Sequence, residues 1–208
     1  MIKALLLIFD PVATWEGIVR ARRSLAFILI LFLLPLILLT SAAEGYGLVR
    51  WGKRQGEVSR LKTFSLGEAV IVEAAQVLVS LVVVFFGAKV LKSLGETFHG
   101  RHTYTQAFTA VAYSLSPLFL LRLLDAFAWI NPWVSWAIGI LLSIAVLYQG
   151  VPRTMLPDPS HAFGLYLMSA VLLALVSGLM RFVTASYFQG KFPAVQSLVA
   201  EIGARLPL

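Results

Sequence analysis

No cysteine occurs in the 208 residues, so thiol chemistry, cysteine-ligated metals and disulfide stapling are excluded, and redox compartment leaves no trace in the sequence. Charge is scarce too. Charged residues make up 13% against 59% hydrophobic, and the mean hydropathy of +0.86 lies far from that of a soluble globular domain. These figures exclude a soluble enzyme, a disordered tail and a disulfide scaffold. Acidic residues are the rarer charge, ten against 17 Lys and Arg, for a formal net charge of +7 and a pI near 10.0. In so apolar a chain this excess points to anionic lipid headgroups, not nucleic acid. Gly-x-Ser-x-Gly, His-Glu-x-x-His, Walker A and Gly-x-Gly-x-x-Gly patterns are all missing, so no catalytic residue and no cofactor is assigned. Repeats, low-complexity runs and long linkers are absent as well, and residues 1–208 read as one domain.

What is present is apolar sequence in membrane-length pieces. A spanning helix needs about 20 mostly apolar residues to cross roughly 30 Å of hydrocarbon, and five segments qualify: residues 24–43, 68–90, 106–128, 132–151 and 162–188. The expected fold is therefore all-α, a polytopic bundle of five transmembrane helices. Helix-start chemistry marks similar boundaries independently. Asp10-Pro11 opens a short helix before the first span, Ser65-x-x-Glu68 and Thr103-x-x-Gln106 read as capping boxes, Asn131-Pro132 opens the fourth span, and Asp158-Pro159 precedes the fifth. A cleavable leader ending at Ser41-Ala42-Ala43 is not expected, because the charged lead-in and the apolar core are both too long.

Residues 1–23 form an N-terminal segment. Met1 to Phe9 is apolar but too short to span and is placed at the interface. Val12, Trp15, Ile18 and Val19 share one helical face, with Glu16, Arg20 and Arg23 on the other. This pattern predicts an amphipathic helix lying on the membrane surface, the other reading being a helix packed on the bundle itself. Residues 189–208 form a C-terminal tail in which Val195, Leu198, Val199 and Ile202 make a second short stripe. Lys and Arg divide almost evenly between the two faces, but the Arg20, Arg22, Arg23 cluster abuts the first span. The N-terminus is therefore placed in the cytoplasm and the C-terminus across the membrane, the plasma (inner) membrane if the source is bacterial.

Ionisable residues inside spans cost about 2.5–3.5 kcal/mol each on insertion scales and so have a partner or a task. Glu68, Glu73, Arg122, Asp125 and Arg181 all fall toward one face, because alternate spans run in opposite directions. Pairing of Arg122 or Arg181 with Glu73, with Gln76 one turn further on, is the expected contact. Two readings stand: ion pairs that fix helix register, or a polar cavity for a substrate or proton. The other face collects His99, His102 and His161, a weak metal-site candidate, three solvated loop histidines being the commoner case. Small residues recur every four positions at Ser135, Gly139, Ser143 and at Ala170, Ala174, Gly178, which suits close packing within the bundle more than a dimer seam.

Three blocks carry a family likeness. They are Phe9-Asp10-Pro11 with Trp15, then Ala112-Tyr113-Ser114-Leu115-Ser116-Pro117, then Tyr148-Gln149-Gly150-Val151-Pro152 followed by Met155, Pro157, His161, Ala162 and Phe163. Through them the chain resembles the Yip family of small five-span membrane proteins, the Ypt/Rab-interacting proteins, most closely its prokaryotic branch. The resemblance implies five helices, a cytoplasmic N-terminus, and membrane organisation or trafficking without catalysis; its marker residues here are Pro11, Tyr113, Pro117, Tyr148, Gly150 and Pro152. Eukaryotic members carry a long cytosolic N-terminal region where about 23 residues stand here, which counts against a GTPase partner. Physically, Pro117 should kink the third span and free a carbonyl near Tyr113 for a neighbouring hydroxyl, and Gly150-Val151-Pro152 should end the fourth span sharply. The expected partners are membrane lipids, a second copy of the chain or another membrane protein. The expected function is a non-enzymatic organiser, with a small transporter or channel built on the charged cluster as the alternative.

Overall fold

The computed structural model describes residues 2–55, 60–98 and 102–206. Five helices are long and apolar enough to cross a membrane: Leu25–Arg50, Leu66–Thr97, Tyr104–Ala126, Pro132–Met155 and Ala162–Phe188, here the first to fifth spans. Ser65 and Thr103 close the reciprocal capping boxes of the second and third, and Asn131 caps the fourth through the Trp133 amide. Three C-terminal bounds lie beyond expectation, the second span running on to Thr97 where residue 90 was expected. The first span runs on to Arg50 and the fourth continues through Pro152 to Met155. A proline lacks one amide donor, and in the fourth span neighbouring hydroxyl and guanidinium donors bind nearby carbonyls: Thr154 Oγ1 donates to the Gly150 carbonyl (2.8 Å) and Arg153 Nη1 to that of Gln149 (2.9 Å). A short antiparallel ribbon of β1 (Lys53–Gln55) and β2 (Arg60–Lys62) joins the first two spans.

Proline bends two other spans. Before Pro35 the first span widens to a π turn over Leu29–Leu33, which absorbs the missing donor and the ring's clash with the preceding turn. The third span breaks at Leu115, just ahead of Pro117, and Ser116 Oγ donates to the Tyr113 carbonyl at 2.7 Å. This is the hydroxyl compensation expected of the Pro117 block. Leu118 N–H turns instead to Ser143 Oγ on the fourth span (3.3 Å), so the Ser135, Gly139, Ser143 stripe packs against the kinked third span.

The N-terminal segment fits the second of its two readings, a helix packed on the bundle itself. It folds as two helices, α1 (Ile2–Phe9) and α2 (Pro11–Ala21), the second capped by Asp10 Oδ1 accepting from Ala13 N–H. Both press on the bundle: Ala4, Leu7 and Trp15 are fully buried and Ile18 nearly so. Trp15 donates through Nε1 to the Val146 carbonyl of the fourth span at 3.0 Å and meets Tyr113 edge-on at 6.1 Å, while Phe32 lies 4.2 Å from the other side of Tyr113. Tyr113 sits nine residues into the third span, a depth of about 14 Å at 1.5 Å per residue. The indole fits there because Gly150 has no side chain; a Cβ on Gly150 would collide with the Trp15 ring. Helical periodicity identifies an apolar stripe, but only the facing surface determines whether lipid or protein covers it.

The C-terminal helix Pro193–Arg205 crosses the start of the second span where Gly203 meets Gly67, and leaves Val195, Leu198 and Ile202 exposed. Its apolar edge remains uncovered by the chain, unlike that of α2.

The Trp15 seat yields the first prediction. Gly150→Ala should destabilise the fold by about 1–3 kcal/mol through overpacking and Trp15→Ala by about 3–5 kcal/mol through the lost ring. In thermal unfolding in detergent micelles, the double variant should lose little more than Trp15→Ala alone, since no ring is left to collide with. Fully additive losses would assign the Gly150 requirement to something other than the indole.

Candidate functional site: a charge lattice between the spans

Six ionisable side chains meet toward the face opposite the start of the first span. The third span delivers two of them through a change of winding. Its last turn, Arg122–Ala126, is a 3-10 helix, and at three residues per turn the side chains of Arg122 and Asp125 project from one edge. The first span delivers Glu44 from the buried stripe Leu33, Ile37, Thr40, Ser41, Glu44, Leu48. One turn beyond, Gly47 lets that span touch the third: a Cβ there would strike the Ala126 carbonyl. This close approach sets Glu44 against Arg122.

The Arg122 guanidinium forks between two spans, Nε donating to Glu44 Oε2 at 2.9 Å and Nη2 to Glu73 Oε2 at 2.7 Å. Glu44 also receives Lys53 Nζ from β1 at 3.3 Å, and Glu73 receives Gln76 Nε2 at 3.2 Å. A second fork sits beside it. Arg181 of the fifth span pairs with Asp125 at 2.7 Å and donates through Nη2 to the Pro132 carbonyl at 2.6 Å, while Ser135 Oγ donates to Asp125 at 2.5 Å. Three carboxylates and three cations thus neutralise each other and tie all five spans together. Glu44 is 0% exposed and Asp125 1%, so the contacts are made away from water, where an unmatched charge is most costly. Of the six lattice side chains Arg122 keeps a donor over, its Nη1 being buried without a partner.

Of the expected residues, Glu73, Arg122, Asp125 and Arg181 come together and Glu68 does not. Its carboxylate takes the Ser65 amide at 2.7 Å as the capping-box partner and lies 4.0 Å from Lys62. Glu73 pairs with Arg122, whereas Arg181 goes to Asp125. Glu44 and Lys53 lie beyond residue 43, the expected end of the first span, which the structure extends to Arg50. Extending the stripe in steps of three and four from Leu33 reaches Glu44, and that signal was available.

Two cavities flank Arg181. The smaller, about 90 Å³, is lined by Gln76, Ser80, Arg122, Asp125, Ser135 and Arg181 among others, room for about three waters. The larger, about 340 Å³, lies among loop residues 128–131 with Glu44, Lys53, Trp129 and Phe188. Arg181 and Thr184 line both.

The histidines behave differently. His99 lies outside the described residues. His102 packs on Gly95 and Met155, and His161 approaches the Phe98 ring at 6.1 Å, with Ser160 Oγ 2.9 Å from its Nδ1. Among the described residues no three His, Asp or Glu side chains converge as metal ligands. Of the marker residues, Tyr113 and Gly150 meet Trp15 in the α2 seat, Pro11 starts α2, Pro117 and Pro152 act as described above, and Tyr148 is half exposed, edge-on to Tyr166 at 5.0 Å. A family model described as the Yip1 domain matches residues 5–182. Neither the curated proteins nor the solved structures give a match.

Removing one partner from the lattice should be far costlier than altering its neighbour. Arg122→Leu strands Glu73 and half of Glu44 and should cost about 3–5 kcal/mol, whereas Glu68→Gln, at a helix cap, should cost about 1 kcal/mol or less. Comparable losses of thermal stability for the two would remove the lattice from its central role. A pH effect belongs to the opposite face: burial pushes the His102 imidazole below its ordinary 6.5, with nearby Glu96 opposing. The unfolded chain then takes up the proton first as pH falls. Stability should be level above pH 6.5 and decline below it, and His102→Phe should flatten that acid limb in a pH series of unfolding curves.

Proposed function

Because the chain belongs to the Yip1 domain family, we propose that it is a non-enzymatic, multi-pass integral membrane protein that organises lipids or membrane-protein partners around a fixed helical frame. The observation that carries this reading is the closure of the charge lattice. Glu44, Glu73 and Asp125 are each ion-paired within the chain, so the charges act as clamps between spans and none is left as a free acid or base for chemistry. The uncovered edge of the C-terminal helix adds apolar surface suited to the interface. We place the N-terminus in the cytoplasm, on the strength of the Arg20, Arg22, Arg23 cluster beside the first span.

One observation favours a second reading, a small transporter or channel. The leftover Arg122 Nη1 belongs to a side chain lining the small cavity, and that cavity shares Arg181 with the larger one beside the loops. A polar solute entering there would meet a guanidinium with one donor to spare.

Native mass spectrometry of the protein in lipid nanodiscs tests the first reading, which expects a selectively retained lipid or a co-purifying membrane protein. Glu73→Gln separates the two. Under the organising reading it should loosen the frame, lowering thermal stability and disturbing assembly. A variant of unchanged stability and assembly that has lost solute flux in proteoliposomes would establish the transporter instead.

A further inference from the structure

A third cavity, about 470 Å³, opens at the other end of the bundle, between the α1–α2 hairpin and the ends of the first, third and fourth spans. Its charge is one-sided. Lys3, Arg22, Arg23 and Arg153 line it and no carboxylate does. Among the described residues none of these four cations is ion-paired, in contrast to the lattice at the opposite face, where every cation has its anion. Thr105 adds a hydroxyl to the same wall, and Ile18 and Tyr113 make an apolar floor.

The backbone of Arg22 and the side chains of Arg23 and Arg153 are held in place. Arg22 sits in the left-handed region at φ 41°, a conformation unusual for a side chain other than glycine or asparagine. It caps α2, with its N–H on the Val19 carbonyl. Arg23 rests on the Phe27 ring, 4.4 Å from its centre. Arg153 Nη1 is anchored on its own turn by the Gln149 carbonyl and Oε1, at 2.9 and 2.7 Å. Four like charges gathered around one hollow repel one another, and an anion seated among them removes that penalty. Guanidiniums and an ammonium together suit the tetrahedral oxygens of a phosphate. The cavity also has depth: it runs from Thr103, ahead of the third span, to Tyr113, nine residues into it, about 14 Å along the helix. A basic rim over an apolar floor at that depth matches a headgroup with the start of its acyl chains.

We propose that this cavity binds the phosphate of an anionic phospholipid. Such a site deepens the lipid-organising reading above, and its failure is told apart by the Arg22 and Arg153 dependence of the lipid preference, which the Glu73→Gln test of that reading does not touch.

The experiment titrates the full chain in detergent with phosphatidylglycerol and with phosphatidylcholine, read by native mass spectrometry and by thermal unfolding. Both lipids bring the same phosphate, but the choline of phosphatidylcholine adds a cation that the four basic side chains repel. Phosphatidylglycerol should therefore be retained about tenfold more strongly and should raise the unfolding temperature where phosphatidylcholine does not. Arg22→Gln with Arg153→Gln should abolish the preference, while Lys191→Gln with Arg205→Gln, which removes equal charge at the other end, should leave it intact. Equal retention of the two lipids by the unaltered protein would overturn the proposal whether or not the double variant folds. So would a preference undiminished in a folded Arg22, Arg153 variant. Inorganic phosphate at millimolar concentration should not compete; if it displaced the lipid effect fully, the site would belong to a soluble phosphate compound and not to the membrane.

Discussion

The bundle depends on one guanidinium shared between two carboxylates of different spans. Arg122 can reach both Glu44 and Glu73 because its donors are fixed in a planar fork, which a lysine ammonium could not reproduce. In hydrocarbon the attraction between apolar helices is weak, since lipid tails are as apolar as leucine, and packing with polar contacts carries the association. A bidentate contact therefore specifies what hydrophobicity cannot: the rotation and depth of the first and second spans relative to the third.

From that constraint the rest of the frame follows. The 3-10 turn that aims Arg122 also aims Asp125, and Asp125 draws in Arg181 and, through the Pro132 carbonyl, the start of the fourth span. The fourth span then presents Gly150 and the Val146 carbonyl to Trp15, which seats the N-terminal hairpin. The two ends of the molecule are thereby given opposite electrical characters. One face neutralises its charges internally, and the other leaves a basic hollow lined by the hairpin and three spans.

Much of this was legible in the chain. Spans were readable because hydrocarbon thickness imposes a length, and helix starts were readable because orphaned amides select a few side chains at set positions. The pairing of Ser116 with the carbonyl freed at the Pro117 kink was also foreseeable, being local. Glu44 is legible as well, on the stripe continued past residue 43 in steps of three and four, where Gly47 marks a close helix contact. The burial of α2 could not be read, since an apolar stripe looks the same whether lipid or protein covers it.

Sequence by itself determined the number of spans, their caps, the clustering of buried charge at one end and the excess of cations. These depend on neighbours within a turn or on the fixed thickness of the bilayer. Tertiary structure alone decided that Arg122 takes Glu44 and Glu73 while Arg181 takes Asp125, that Glu68 stays a cap, that Trp15 sinks against Gly150, and that Lys3, Arg22, Arg23 and Arg153 share a hollow. Each of these turns on the angle at which one helix faces another. That angle is set by contacts such as Gly47 on Ala126, between residues far apart in the chain.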